Sequence, residues 1–299
     1  MQMPPIIYGT AWKKERTETL VGQALRAGFR GVDTACQPKH YHEPGVGAAL
    51  ASWQREGMRR EDVYVQTKFT PLSGHDPQRI PYDPQASLPE QVAQSFATSL
   101  RNLQTSYVDA LVLHSPLPRE EQTMQVWRAM EALVDSGGAH RLGISNCYSL
   151  EVLERLHGAS RIKPAIVQNR FYAETGYDRD IREFCTRHGI AYQSFWTLTA
   201  NPQLLAADTV RRLSLQYGRT PAQILFRYLT QVGVTPLEAP PAQCAAAAAA
   251  AGGVRGQRPV HVLTPSRVGL SHTGGPPCRL RQSPAAAQDV PVPVACRAP

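Results

Sequence analysis

Short apolar runs alternate with longer amphipathic stretches from Ile6 to Val234. The runs are rich in β-branched residues and predict strands, while apolar residues at three- and four-residue intervals predict the helices between them. We predict eight strands, at residues 6–9, 31–35, 63–69, 108–114, 141–146, 165–170, 191–196 and 234–237. Helices are predicted at residues 15–27, 45–56, 89–103, 120–136, 150–156, 179–188 and 221–231, the last with Thr220 as its capping residue.

Eight alternating strands and helices are typical of an α/β fold with a parallel sheet, and they point to a (β/α)8 TIM barrel. The active site of such a barrel lies at the C-terminal ends of its strands. A doubly wound open sheet is the alternative. The chain carries no G-x-G-x-x-G motif after its first strand, so this alternative has no support from a dinucleotide-binding turn.

Titrating side chains lie at the ends of three successive predicted strands. Asp33, Lys68 and His114 occupy these ends, and Tyr41 follows the first of them closely. A phenol with a free pKa of about 10 is a slow acid unless a nearby cation stabilises its phenolate, and a lysine held by an aspartate provides that cation. A neutral histidine can then donate a hydrogen bond to the reacting oxygen. Alone, each residue fits an ordinary turn or surface position, but together they favour proton-transfer chemistry.

Polar and aromatic residues continue the pattern on the next three strands. Asn146 closes the fifth strand, Gln168 lies on the sixth and Phe195 ends the seventh. Primary amides can pair with the carboxamide of a planar cofactor, and an aromatic ring can stack on it. Strand-end capping for the amides and core packing for Phe195 remain open alternatives.

Five segments of the chain resemble motifs of the aldo-keto reductase family in order and spacing, and the resemblance spans about residues 6–237. The segments are Gly31-Val32-Asp33-Thr34-Ala35, residues 39–47 (Lys39-His40-Tyr41-His42-Glu43-Pro44-Gly45-Val46-Gly47), Gln66-Thr67-Lys68, Leu113-His114-Ser115-Pro116 and Gly143-Ile144-Ser145-Asn146.

The resemblance implies an NADP(H)-dependent oxidoreductase that reduces an aldehyde or ketone. It implies Tyr41 as general acid, Lys68 and Asp33 as the pair that tunes it, and His114 as the residue that orients the substrate carbonyl. It also implies a nicotinamide site formed by Ser145, Asn146, Gln168, Phe195 and Leu198. The stretch from Phe195 to Pro202 departs from the family's commoner Tyr-Ser-Pro-Leu-Gly sequence, and it is similar to a subset with phenylalanine in the stacking position.

The composition changes abruptly after Leu237, which divides the chain into a predicted barrel domain, residues 1–237, and a tail, residues 238–299. The tail contains fourteen alanines, ten prolines and six glycines, and it has no Phe, Tyr, Trp, Ile, Lys or Asn. Such a sequence offers little apolar surface to offset the entropy of ordering, so we expect disorder. The resemblance implies that this region supplies the last barrel helix and the loop that grips the NADP 2′-phosphate. The tail contains neither motif, so we expect the barrel to be incomplete at its last strand–helix unit.

This tail keeps a second function open, in which the barrel is catalytically impaired or inactive, as a truncated isoform or an interaction subunit. A third alternative makes Lys68 a Schiff-base nucleophile, as in aldolase-type barrels. Asp33 close to it in the predicted site argues instead for a charged lysine.

Composition and charge argue against several other functions, namely nucleic-acid binding, membrane insertion and metal binding. The 299 residues are 42% hydrophobic and carry a net charge of +8. This charge is shared equally between residues 1–237 and the tail, and neither part contains a basic run of the kind that binds nucleic acid. No signal peptide and no apolar run long enough to span a membrane is evident, so we expect a cytoplasmic protein. Its expected partner is a small-molecule carbonyl substrate. His40 and His42 form an H-x-H pair without a third ligand, so no metal is expected.

Overall fold

The eight apolar runs form eight parallel strands in the computed structural model, which describes residues 1–238. The strands are β1 (Ile7–Gly9), β2 (Gly31–Asp33), β3 (Tyr64–Phe69), β4 (Ala110–Leu113), β5 (Leu142–Ser145), β6 (Ile166–Arg170), β7 (Ala191–Phe195) and β8 (Val234–Glu238). Each strand pairs with the next along the chain, and β8 pairs with β1 through Ile7 opposite Leu237. The (β/α)8 barrel prediction is confirmed, and an open sheet is wrong.

Helices surround the barrel between successive strands. They are α1 (Thr17–Arg26), α2 (Glu43–Arg55), α3 (Leu88–Leu103), α4 (Glu120–Asp135), α5 (Leu150–Ala159), α6 (Arg179–His188), α7 (Pro202–Ala206), α8 (Asp208–Tyr217) and α9 (Pro221–Gln231). The predicted cap of the last helix is confirmed, because the Thr220 hydroxyl accepts a hydrogen bond from the backbone N–H of Gln223.

Two helices of the long β7–β8 connection, α7 and α8, were not among the predicted elements. Neither helix contains a buried residue, and Leu215 in α8 is 86% exposed. Hydrophobic periodicity reveals a helix through the face that it buries. A helix without such a face leaves little periodic signal in the sequence.

The core has two parts, as the alternation of side chains along a barrel strand requires. The larger part lies between the outer face of the barrel and the helices, and it includes Val32, Leu111 and Trp127. The smaller part fills the lower end of the barrel with side chains from five strands: Ile7, Tyr64, Ala110, Ile166 and Leu237. This inner layer closes the barrel below the polar residues at the strand ends.

The predicted disorder of the tail and the predicted absence of a final barrel helix concern residues outside those that the structure describes. Glu238, the first residue of the predicted tail, is the last residue of β8.

Candidate active site

A buried ion pair lies at the centre of the barrel mouth. Lys68 on β3 points its ammonium at Asp33 on β2, with Nζ 2.6 Å from Oδ2 and 2.7 Å from Oδ1, and Nζ also donates to the backbone oxygen of Thr34 at 2.8 Å. Both side chains are almost fully buried. Burial alone lowers the pKa of Lys68, but the carboxylate of Asp33, followed by the phenolate form of Tyr41, outweighs it and raises the pKa above its ordinary value. Lys68 is therefore a fixed cation.

Tyr41 lies beside this cation in the loop between β2 and α2. Nζ of Lys68 is 4.8 Å from the centroid of its ring. Burial raises the pKa of the Tyr41 phenol above its ordinary value, and the charge of Lys68 opposes that shift. The phenol therefore carries its proton near neutrality.

The loop that carries Tyr41 is tied down by the first residue of α2. Glu43 is buried, and its Oε1 accepts hydrogen bonds from the hydroxyl groups of Thr67 at 2.5 Å and Ser99 at 2.9 Å. These bonds join α2 to β3 and to α3. The position of Tyr41 is thus set by two neighbouring strand–helix units.

His114 follows β4 directly and faces Tyr41, with 5.9 Å between the ring centroids. Burial, followed by the charge of Lys68, holds the pKa of His114 well below its ordinary value, so the imidazole is neutral near pH 7. Nδ1 of His114 lies 2.7 Å from the hydroxyl oxygen of Thr70. A hydroxyl that donates to Nδ1 leaves the ring proton on Nε2, which makes Nε2 a hydrogen-bond donor.

A layer of three buried glutamines lies beside the ion pair. Gln66 and Gln193 exchange two amide hydrogen bonds across the barrel, at 2.8 and 2.9 Å. Gln66 and Gln168 each donate to Oδ1 of Asp33, at 2.7 and 3.0 Å. Gln168 also donates to the side-chain oxygen of Gln193 at 2.9 Å. The carboxylate of Asp33 is thereby held from below as well as by Lys68.

The residues of β5 and β6 form one continuous polar wall. The Ser145 hydroxyl donates to the backbone oxygen of Gln168 at 2.7 Å, and the Asn146 amide donates to the backbone oxygen of His114 at 2.8 Å. The Tyr148 hydroxyl donates to Oδ1 of Asn146 at 3.2 Å. Asn146 adopts a left-handed backbone conformation with φ of 53°, a region that asparagine tolerates better than most residues.

A cavity of about 620 Å³ opens at this end of the barrel. Its walls include seven of the nine predicted site residues: Asp33, Tyr41, His114, Ser145, Asn146, Gln168 and Phe195. Lys68 lies beneath the wall as the partner of Asp33, whereas Leu198 packs against the outer core. A larger cavity of about 710 Å³ lies between α6 and the start of β8, and its lining contains none of these residues.

Four further residues of the site had not been singled out from the sequence: Thr70, Gln66, Gln193 and Arg170. Three of them have a simple sequence signal, since Gln66, Gln193 and Arg170 each lie two residues from a predicted site residue on the same strand and so share its face. Thr70 lies two residues beyond Lys68, just after β3.

The side chains in this cavity suit a nicotinamide ring. The hydroxyl of Ser145 and the side-chain amides of Asn146 and Gln168, groups of the kind that pair with a carboxamide, lie on one wall, and Phe195 adds an aromatic ring to the same cavity. Among residues 1–238, no group of three or more His, Cys, Asp or Glu side chains is arranged to hold a metal ion. In the same range, no helix is both long and apolar enough to cross a membrane.

Comparisons with known proteins identify a family. The family described as "Aldo/keto reductase family" matches residues 5–241. A methylglyoxal reductase of Yersinia pestis is 29% identical over 235 residues, which cover 78% of this chain and 76% of the relative. A glyoxal reductase of Bacillus subtilis is 28% identical over 221 residues, 74% of this chain and 71% of the relative.

Solved structures agree with the sequence matches. The crystal structure of an aldo/keto reductase from Brucella melitensis superimposes with a TM-score of 0.67 at 29% identity, and the match covers 82% of this chain and 87% of that one.

Proposed function

Because the chain belongs to the aldo/keto reductase family, a family of oxidoreductases, we propose that it reduces a small aldehyde or ketone with NADPH, and that Tyr41 is its general acid. The observation that carries this proposal is the Asp33–Lys68 pair beside a protonated Tyr41, in a cavity that His114 also lines. Relatives named for methylglyoxal and glyoxal favour short, polar carbonyl compounds as substrates.

Each residue of the group has a separate task. Tyr41 donates its proton to the carbonyl oxygen, which acquires negative charge as the carbonyl carbon is reduced. Lys68 stabilises the phenolate that remains, and Asp33 keeps Lys68 charged and in place. His114, as a neutral donor through Nε2, binds the same oxygen and fixes the direction of the carbonyl group.

The wall formed by β5 and β6 would hold the nicotinamide. Ser145, Asn146 and Gln168 would pair with its carboxamide, Phe195 would stack on its ring, and Leu198 is proposed to support that end of the site from the outer core. When bound, the cofactor supplies the hydride that the protein itself lacks. The side chains orient the reacting groups and exclude water from the lower part of the cavity.

A Schiff-base mechanism through Lys68 has little support. Its three ammonium protons meet three acceptors, the two carboxylate oxygens of Asp33 and the backbone oxygen of Thr34. A raised pKa keeps the amine protonated, and a protonated amine is not a nucleophile.

The decisive variant is Tyr41→Phe, assayed with methylglyoxal through the loss of NADPH absorbance. We expect kcat to fall by on the order of a hundredfold or more, because general acid catalysis contributes about that factor, while the Kd of NADPH changes little. Tyr228→Phe is the matched control, since Tyr228 lies exposed on α9. Full activity in the Tyr41→Phe variant would rule out the proposed acid.

The composition of residues 238–299 favours a second candidate, an inactive barrel. These residues contain no lysine and none of the phosphate-binding loop that the family places after β8. Titration of the whole chain with NADPH, followed by tryptophan and nicotinamide fluorescence, separates the two functions. Saturable binding at micromolar concentrations supports the reductase, and no saturable binding up to millimolar concentrations supports the inactive barrel.

A further inference from the structure

Arg170 lines the cavity beside the predicted cofactor residues, but neither the acid–base group nor the amide wall uses it. It is the last residue of β6, two positions after Gln168, so both side chains point into the barrel mouth. No ion pair within 4.0 Å joins its guanidinium to a carboxylate of residues 1–237, and its buried Nε has no hydrogen-bond partner.

Two aromatic rings hold this guanidinium in place. Its Cζ lies 4.1 Å from the ring centroid of Trp196 and 5.3 Å from that of Tyr172. Stacking on aromatic faces restricts an arginine without occupying its N–H groups, which stay free to bind an oxyanion in a bidentate manner. Arg170 is thus positioned by contacts that leave its hydrogen-bonding edge free.

The backbone around Trp196 supports a functional interpretation of this stack. Trp196 has a φ of 58°, a conformation that costs free energy for a bulky residue, and 47% of its surface is exposed. The turn is held in this shape by a hydrogen bond between the hydroxyl groups of Ser194 and Thr197 at 2.9 Å and by the bond from Ala200 N–H to the Trp196 oxygen. The turn thus places an exposed indole against Arg170 while Trp196 adopts a left-handed backbone conformation.

From these contacts we propose that Arg170, stacked on Trp196 and Tyr172, is an oxyanion-binding subsite of the cavity. It takes a carboxylate or phosphate group of a molecule whose other end reaches the strand-end residues. This assignment rests on the proposed reductase function for the identity of that molecule. A carboxylate would belong to the carbonyl substrate, and a phosphate would belong to the cofactor.

The test compares Arg170→Gln with the unmodified chain on two matched pairs of ligands. The substrate pair is succinic semialdehyde and its methyl ester, which differ in the carboxylate. The cofactor pair is NADPH and NADH, which differ in the 2′-phosphate. Loss of a charge-assisted bidentate contact should raise the KM or Kd of the anionic member by about tenfold or more and leave the other member within about twofold.

An effect confined to succinic semialdehyde assigns the subsite to the substrate, and one confined to NADPH assigns it to the cofactor. Arg170→Lys keeps the charge but loses the planar fork, so we expect an intermediate value for the same member of the pair. If Arg170→Gln folds, as judged by circular dichroism, and changes both members of each pair equally or not at all, the subsite is refuted.

A binding measurement separates this result from failure of the proposed function. Inorganic phosphate, titrated against the whole chain without turnover, should quench or shift tryptophan fluorescence, and the response should be absent in both Arg170→Gln and Trp196→Phe. A chain that binds phosphate through Arg170 yet reduces no aldehyde retains the subsite and refutes the reductase. A response that persists in Arg170→Gln refutes the subsite.

Discussion

Thr70 contributes a single hydroxyl to the site, and in the proposed mechanism that hydroxyl donates to Nδ1 of His114 and leaves Nε2 as the hydrogen-bond donor. In Thr70→Val the side chain keeps its shape but no longer bonds Nδ1, so both tautomers become accessible. We expect kcat/KM to fall by about tenfold, the equivalent of about 1.4 kcal/mol. Nitrogen NMR of the imidazole should show the Nε2–H tautomer in the unmodified chain and a mixture in the variant.

Thr70→Ser is the control, since it restores the hydroxyl and should restore both the rate and the tautomer. An unchanged NMR spectrum in Thr70→Val would show that another contact sets the tautomer.

The pKa shifts of Tyr41 and His114 together predict the pH dependence of reduction. In the proposed mechanism Tyr41 must be protonated, and its raised pKa keeps the proton to higher pH than an ordinary phenol, so kcat/KM should fall only above about pH 10. His114 has a lowered pKa, so its protonation should cause no loss of activity near its ordinary value of about 6.5.

The charge of Lys68 lowers the pKa of Tyr41. Removal of Lys68 should therefore move the loss of kcat/KM at alkaline pH to still higher pH, while kcat itself falls. The suitable variant is Asp33→Asn with Lys68→Met, which leaves no unpaired buried charge. An alkaline limb that moves to lower pH in this variant would contradict the assignment of Tyr41 as the titrating acid.

The buried glutamines of the site join strands on opposite sides of the barrel. Gln66 on β3 and Gln193 on β7 exchange two hydrogen bonds, and both are fully buried. Replacing either one by leucine removes both of these bonds from the other buried amide, which should lower the free energy of unfolding by about 1–3 kcal/mol. Replacing both should cost less than the sum of the two single changes, because the amides satisfy each other.

Urea denaturation of the two single variants and the double variant, with unchanged m-values, provides the measurement. Simple additivity would show that the reciprocal pair contributes nothing beyond the separate contacts of each glutamine.

Most strands and helices were predictable from sequence, because strands such as β3 are short runs buried along their whole length and helices such as α3 bury one regular face. Lys68 and Asp33 were predictable because strand ends of a parallel barrel meet at one mouth. The contact between Thr70 and His114 was not predictable, because it depends on the register of β3 against β4, in which Phe69 pairs with Leu113. The stack of Arg170 on Trp196 was not predictable either, because it depends on a left-handed backbone conformation at Trp196 that bulky residues rarely adopt.

At the scale of the whole molecule, the closed barrel predicts which truncations are tolerated. A chain that ends at Glu238 keeps all eight strands, and the removed residues have little apolar surface by composition, so its free energy of unfolding should stay within about 0.5 kcal/mol of the full chain. A chain that ends at Gly233 lacks β8, which joins β7 to β1, and should not fold cooperatively.

Urea unfolding of the three chains, followed by circular dichroism, tests this. A large loss of stability in the chain that ends at Glu238 would show that the later residues contribute to the folded barrel.

The apolar layer of Ile7, Tyr64, Ala110, Ile166 and Leu237 seals the barrel from below. The mouth is therefore both entrance and exit for every molecule that reaches Tyr41. Two ligands that share a cavity with one opening must bind and leave in order, and the ligand that binds last must leave first. Release of the deeper ligand therefore depends on prior release of the one above it, which makes the order of release a property of the barrel itself.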